Sequence, residues 1–260
     1  MASSPHKHYL DEDFDAKEFI ETYFTHGKIS IIEEHVGFPM KVLHEVFSSG
    51  KVRGDALLDI SVGAIIYQLF SASNNFKKMY VMEFKDANIT HFKKWLQKEE
   101  GATDWSFVSE KFCHIEGIRD KLQEKEDQVR KAIAGVIKWE NFENTPIDTQ
   151  LVPEVDCVLS LWMLAVISKT KEAFQTNLKK FTSRLKIGGH LLLFLGMNMS
   201  FYKMGEHKFF LLSVDETFVR ESVTNAGFVI EQVESIPSEI NTDLIDYDCL
   251  LFILARKERE

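Results

Sequence analysis

Apolar residues recur along this chain in two alternating patterns. Short continuous apolar runs, the first two at residues 56–60 and 79–83, alternate with stretches in which apolar positions repeat every three or four residues. The runs predict buried strands, and the stretches predict amphipathic helices that cover them. This alternation predicts an α/β fold built on a mostly parallel sheet with helices on both faces.

The same patterns predict the remaining elements. We expect further strands at 105–113, 137–139, 155–161, 190–195, 228–233 and 250–255, and helices at 13–25, 29–48, 64–72, 88–99, 116–136, 170–186 and 215–226. Gly188 and Gly189 predict a C-cap at the end of the 170–186 helix. No helix separates the last two strands, which predicts an antiparallel hairpin at the end of the sheet. The chain therefore divides into N-terminal helices over residues 1–50 and a Rossmann-like domain over residues 51–260.

Composition narrows the class of protein. The 260 residues are 45% hydrophobic and 27% charged, as in a globular protein. The net charge of -9 disfavours nucleic acid as a partner. No apolar run reaches membrane-spanning length, and the first residues lack an apolar signal core. Three widely spaced cysteines indicate buried thiols in a reducing compartment, so we expect a cytoplasmic protein. The histidines show no metal-ligand spacing, and no metal site is predicted.

A glycine turn and an acid suggest a nucleoside site. Gly63 follows the first predicted strand, and Glu83 ends the next strand twenty residues later. In doubly wound sheets, ligands bind at the carboxyl ends of the strands, where an acid accepts hydrogen bonds from a ribose diol. The alternative that Glu83 has only a structural role stays open, because many α/β proteins end a strand on an acid. The loop lacks the G-x-G-x-x-G pattern, so an NAD-dependent oxidoreductase is less favoured.

Several short motifs occur together in a known order and spacing. They lie at residues 54–60, 66–72, 94–99, 104–106, 156–160, 185–189, 205–209 and 255–256. With these motifs, the chain resembles the nicotinamide, indolethylamine (thioether) and phenylethanolamine N-methyltransferase family from about residue 9 to residue 256. The nicotinamide and indolethylamine enzymes are the closer relatives. The resemblance implies a class I S-adenosylmethionine-dependent methyltransferase that methylates a nitrogen or sulfur of a small molecule such as a pyridine, an arylalkylamine or a thioether.

The resemblance also implies which residues contact S-adenosylmethionine. They are Phe19, Phe24, Ser61, Gly63, Tyr67, Glu83, Asn88, Glu140, Asn141 and Leu161. Glu83 stands where the nicotinamide enzyme has aspartate, and Phe19 and Phe24 stand where it has tyrosines. Ser61 replaces the first glycine of the family loop. Its Cβ is expected to crowd the cofactor, with backbone strain if φ is positive.

The acceptor pocket implied by the resemblance consists of Ala165, Leu195, Tyr202 and Leu211. Ala165 and Leu195 stand where relatives have acids, which favours an uncharged thioether or aromatic amine. A sulfonium donor is already activated, so no general base is obligatory and no catalytic residue is predicted. We expect a monomer whose N-terminal helices close over the site as a lid. The alternative is a weak or inactive relative that acts as a binding or scaffold protein, with these positions serving as core filling.

Overall fold

The computed structural model describes residues 6–10, 14–24, 29–118, 121–140 and 142–260. The helices are α1 (Ala16–Phe24), α2 (Ile29–Ile32), α3 (Phe38–Ser48), α4 (Tyr67–Ala72), α5 (Asp86–Gln97), α6 (Ser106–Glu116), α7 (Leu122–Ala132), α8 (Met163–Ile167), α9 (Lys171–Phe181) and α10 (Glu216–Asn225). A π-helical turn, Glu33–Gly37, joins α2 to α3. No helix within these ranges is long and apolar enough to cross a membrane.

The strands form one large sheet and one small hairpin. They are β1 (Gly54–Asp59), β2 (Phe76–Glu83), β3 (Ile133–Lys138), β4 (Val155–Leu161), β5 (Leu185–Met197), β6 (Phe201–Met204), β7 (His207–Phe210), β8 (Phe228–Pro237) and β9 (Cys249–Lys257). The large sheet has the order β3-β2-β1-β4-β5-β9-β8, and β6 pairs with β7. In the large sheet, β9 pairs antiparallel with both of its neighbours, β5 and β8, and the other pairs of adjacent strands are parallel. The predicted mostly parallel sheet and its C-terminal antiparallel hairpin are thus confirmed.

The chain order reverses between β1 and β4, which lie side by side at the centre of the sheet. Both strands are apolar on both faces, and their central residues are buried under helices. The loops after β1, β2 and β4 therefore meet at one edge of the sheet. In this architecture, that edge is where ligands bind.

Two predicted elements are wrong. Residues 105–113 were expected as a strand, but Trp105 is the N-cap of α6 and residues 106–113 lie in that helix. The buried residues Trp105, Val108 and Phe112 recur at helical spacing. The Asp104 carboxylate accepts the backbone N–H of Ser106 at the start of this helix. The helix predicted at 116–136 occupies only Leu122–Ala132, and residues 133–138 continue as β3.

The expected glycine C-cap at residues 188 and 189 is also wrong. Helix α9 ends at Phe181, and both glycines belong to β5. A Cβ on Gly189 would lie 2.9 Å from the carbonyl oxygen of Asp156. This glycine therefore permits close approach of β5 to β4 and has no part in ending a helix.

Candidate functional site

The turn after β1 wraps around the carboxylate of Glu83, the last residue of β2. The Gly63 N–H donates to Glu83 Oε1 at 3.0 Å. Gly63 has a φ of 63°, in the left-handed region that favours glycine. A Cβ at this position would lie 3.0 Å from the ring of Phe19. The ring of Phe19 therefore occupies the space beside the backbone that the missing side chain of Gly63 leaves open.

Glu83 is 1% exposed and accepts hydrogen bonds from several groups. The Tyr9 hydroxyl donates to Oε1 at 2.9 Å and to Oε2 at 3.1 Å, and the Asn88 amide donates to Oε1 at 2.9 Å. The backbone N–H groups of Phe84 and Lys85 complete the set on Oε2. Burial raises the pKa of Glu83, and these hydrogen bonds oppose the rise. Because a carboxylate offers about four lone-pair positions, the protein's own donors satisfy it.

Tyr9 comes from the N-terminal segment and is fully buried. The segment is held by backbone hydrogen bonds of Lys7 with Lys208 and Phe210, which extend β7. The Tyr9 ring packs edge-on against Phe14 at 4.6 Å, and its hydroxyl accepts a hydrogen bond from Asn88 at 2.6 Å. Tyr9 was not predicted as a site residue. Its position at the start of the family resemblance was the one available signal.

Ser61 connects the ends of β1 and β4. Its hydroxyl donates to Asp59 Oδ1 at 2.6 Å and accepts the Leu161 N–H at 3.1 Å. The backbone strain expected at Ser61 is absent, because Ser61 does not have a positive φ. The positive φ values of this loop are at Gly63 and Ala64. Burial raises the pKa of Asp59 to about 7, against hydrogen bonds from Ser61 and Gln68 that lower it. Ser61 therefore has a structural role in this loop.

Replacing Ser61 with glycine is expected to destabilise the protein by about 2–3 kcal/mol. The change removes both hydrogen bonds of a buried hydroxyl and adds backbone freedom to the unfolded chain. Denaturant unfolding of Ser61→Gly and Ser61→Ala would measure it, with Ala showing the smaller loss because it retains the Cβ. An unchanged or increased free energy of unfolding in Ser61→Gly would contradict the bridging role.

Beside this turn lies an apolar cavity of about 50 Å³. Its wall is formed by Phe19, Tyr23, Phe24, His35, Val62, Trp162, Ala165, Val166, Leu195, Gly196, Met199, Tyr202, Leu211 and Ile245. All four residues predicted for the acceptor pocket are among them, together with the two phenylalanines predicted to face the cofactor. None of these lining residues is a carboxylate, so the cavity offers no counter-ion to a cation.

The other predicted residues divide into two groups. Asn88 joins Glu83, and Tyr67 lies against Phe24 and donates its hydroxyl hydrogen to the His35 carbonyl at 2.9 Å. Leu161 is buried at the end of β4 but does not line the cavity, and Glu140 is exposed, 3.5 Å from Lys138 Nζ. Asn141 lies outside the described residues.

Sequence reasoning missed several cavity residues, namely His35, Trp162, Met199 and Ile245. Trp162 follows β4 directly with a φ of 66°, which turns the chain into α8. An aromatic residue immediately after a predicted buried strand was a usable signal for it. His35 gave no such signal, since it follows two glutamates in a helical pattern.

The groups at the strand ends suit a nucleoside cofactor. A carboxylate at the end of β2 can accept two hydrogen bonds from a ribose diol, and the Gly63 turn permits close approach of a ligand. In the conformation described, the Tyr9 hydroxyl contacts both oxygens of that carboxylate, and Phe19 packs on Gly63. A nucleoside therefore has to displace these two rings at least in part.

This fold and site define a Rossmann-like, class I methyltransferase that uses S-adenosylmethionine. The chain belongs to the NNMT/PNMT/TEMT family, whose model matches residues 4–258. Nicotinamide N-methyltransferase of Sus scrofa is 34% identical over 245 residues, which cover 94% of this chain and 93% of that protein. Indolethylamine N-methyltransferase of Oryctolagus cuniculus is 32% identical over 253 residues, covering 97% and 94%.

A solved structure agrees with the fold. An S-adenosylmethionine-dependent methyltransferase from Clostridium acetobutylicum ATCC 824 superposes with a TM-score of 0.58 and covers 94% of this chain and 99% of its own. Its sequence is 10% identical, so the likeness concerns the architecture. The family resemblance stated from the motifs and the predicted fold class are both confirmed.

Proposed function

We propose that this protein transfers the methyl group of S-adenosylmethionine to a nitrogen or sulfur of an uncharged small acceptor. The observation that supports the acceptor class is the cavity, whose lining side chains include no carboxylate. A buried ammonium without a counter-ion costs several kcal/mol, whereas a neutral amine or thioether loses little on entering an apolar site. Ala165, Leu195 and Leu211 form the part of the wall that excludes charge.

The chain's own residues have binding and shielding roles in this proposal. The cofactor supplies an electrophilic methyl group already activated by the sulfonium charge. Glu83 and Asn88 bind the ribose, the Gly63 turn supports the cofactor, and Phe19 and Phe24 separate the reacting atoms from water. Because an uncharged nitrogen or sulfur already carries a lone pair, no residue has to remove a proton before the transfer.

We further propose that residues 1–50 form a lid over the domain at residues 51–260. Helix α1 supplies Phe19, Tyr23 and Phe24 to the cavity wall. A cavity of about 50 Å³ is smaller than an aromatic acceptor, so a ring enters only when α1 moves outward. Closure of α1 would then exclude water from the bound acceptor.

We also propose that the protein is a cytoplasmic monomer that does not bind nucleic acid. Cys113, Cys157 and Cys249 are free thiols, as expected in a reducing compartment. Large exposed apolar side chains among the described residues are Leu151, in a turn, Ile187 on β5 and Val229 on β8. The net charge of -9 opposes binding to phosphate backbones.

Methyl transfer to a panel of acceptors tests the proposed function. We expect kcat/KM for aniline and thioanisole to exceed that for the cation phenylethylamine by about tenfold or more. Nicotinamide should also be poor, because its amide has several polar atoms to bury in a mostly apolar wall. Product would be measured with labelled S-adenosylmethionine. A preference for phenylethylamine, or equal turnover of nicotinamide and thioanisole, would contradict the acceptor class. Binding of S-adenosylhomocysteine without turnover of any acceptor would favour the binding-protein alternative.

A designed pair of variants sharpens this test. Ala165→Glu places a carboxylate in the wall and is expected to shift the kcat/KM ratio toward phenylethylamine by about tenfold. Ala165→Gln is its uncharged match in shape and should leave the ratio near that of the unmodified protein. An equal shift in both variants would show that cavity shape, and not charge, sets the preference.

A further inference from the structure

His35 places a nitrogen heterocycle in the wall of this apolar cavity. It lies within the π-helical turn Glu33–Gly37, between two α-helices. Such turns add a residue to the helix, change which side chain faces inward, and occur frequently at functional sites. The His35 ring is fixed between two aromatic neighbours, 5.3 Å from Trp162 and 5.0 Å from Tyr247 between ring centroids. Its position is therefore defined by packing on both sides.

Two other polar groups of the cavity wall have hydrogen-bond partners. The Tyr23 hydroxyl donates to the carbonyl of Lys203 at 2.5 Å. The Trp162 indole N–H donates to the Tyr67 hydroxyl at 3.3 Å. By contrast, Nδ1 of His35 is buried and makes no hydrogen bond with any described residue. Leaving a buried polar atom unsatisfied costs about 1–3 kcal/mol.

The charge state of His35 decides what could satisfy this atom. Burial lowers the pKa of His35 to about 4, partly opposed by the Ile31 carbonyl, which lies near the ring without making a hydrogen bond to Nδ1. The ring is therefore neutral at pH 7. A neutral imidazole has one N–H and one bare nitrogen that accepts a hydrogen bond. In the tautomer that carries the hydrogen on Nε2, Nδ1 is the bare nitrogen, and a ligand that donates one hydrogen would match it.

We propose that His35 determines acceptor specificity by accepting a hydrogen bond from an N–H group of the methyl acceptor. This inference rests on the proposed function and narrows it, since an uncharged aromatic amine carries such a hydrogen and a thioether does not. An aromatic amine that donates one hydrogen to His35 keeps its lone pair for the methyl group. The contact thus selects both the acceptor and its orientation.

Binding of a matched ligand pair tests the contact. Aniline and toluene have similar size and shape but differ in the polar hydrogen. Both must move α1 to enter, so the ratio of their affinities isolates the polar contact. Calorimetry is expected to show aniline favoured about tenfold, the value of one neutral hydrogen bond. In His35→Leu the ratio should fall below 1, because the aniline N–H groups are then buried without a partner. In His35→Asn, which keeps an acceptor oxygen, it should recover in part. A ratio that persists in His35→Leu would overturn the proposal.

Two measurements keep the test independent of variant folding and of catalysis. Ile245→Val alters the cavity without removing a polar group, and should change both affinities while leaving their ratio intact. In the unmodified protein, ring-nitrogen NMR shifts of His35 should move with aniline and stay fixed with toluene; unmoved shifts with bound aniline would overturn the contact. Selective aniline binding without methylated product would refute the proposed function and leave this contact standing. Methylated product together with an aniline-to-toluene affinity ratio that is unchanged in His35→Leu would support the proposed function and refute the contact with His35.

Discussion

Glu83→Gln is expected to weaken binding of S-adenosylhomocysteine by roughly 100-fold or more. Two hydrogen bonds from a ribose diol to a buried carboxylate contribute about 3–6 kcal/mol together, and an amide accepts on only one atom. The amide NH₂ of glutamine would also face donors, because Gly63, Phe84 and Lys85 direct N–H groups at this side chain. Calorimetry of the full-length protein would measure the loss.

Two further variants control this result. Glu83→Asp keeps the charge with a shorter arm, and its affinity should stay within about tenfold of the unmodified protein. Glu221→Gln makes the same chemical change on the exposed surface of α10 and should have no effect. If Glu83→Gln bound S-adenosylhomocysteine as tightly as the unmodified protein, the ribose would not lie on this carboxylate.

The sequence was sufficient to predict a mostly parallel sheet that ends in an antiparallel hairpin. Strands such as β4 are mostly apolar, so their burial between two layers of helices follows from hydrophobicity. The prediction of a strand at 105–113 was wrong because, over so short a run, the apolar residues fit both the helical period and the strand period. Trp105, Val108 and Phe112 are spaced as on a helix, but aromatic and branched residues also favour strands. Tertiary packing decided between them.

One contact of the candidate site could be predicted from the positions of two residues at the strand ends. Gly63 and Glu83 follow strands that end at the same edge of the sheet, and the structure joins them by a hydrogen bond of 3.0 Å. Ala165, Leu195 and Leu211 could be placed together only through the family resemblance, since apolar residues also fill any core. The roles of Tyr9 and His35 were not predicted, because they depend on how the N-terminal segment and the π-helical turn dock on the domain.

Tyr9→Phe is expected to strengthen binding of S-adenosylhomocysteine by roughly 10- to 100-fold. In the described conformation, the Tyr9 hydroxyl is the donor on Glu83 that comes from the N-terminal segment, while the others belong to the turn after β1, to the end of β2 and to α5. A ribose diol competes most directly with this hydroxyl. Removing a hydrogen bond to a charged group relieves about 1.5–3 kcal/mol of that competition.

The free protein should respond in the opposite sense. Without the hydroxyl, Glu83 and Asn88 each lose a partner in a buried site, so the melting temperature of Tyr9→Phe should fall by a few degrees. Adding S-adenosylhomocysteine should then raise it by more than in the unmodified protein, since the ligand fills the vacated position. Tyr80→Phe, on β2 and away from Glu83, should show neither change. Weaker ligand binding in Tyr9→Phe would mean that the hydroxyl moves onto the nucleoside instead of competing with it. If the ribose binds Glu83 as we propose, the N-terminal segment and the cofactor share one carboxylate in either outcome, so the proposed lid closure and cofactor binding are energetically coupled.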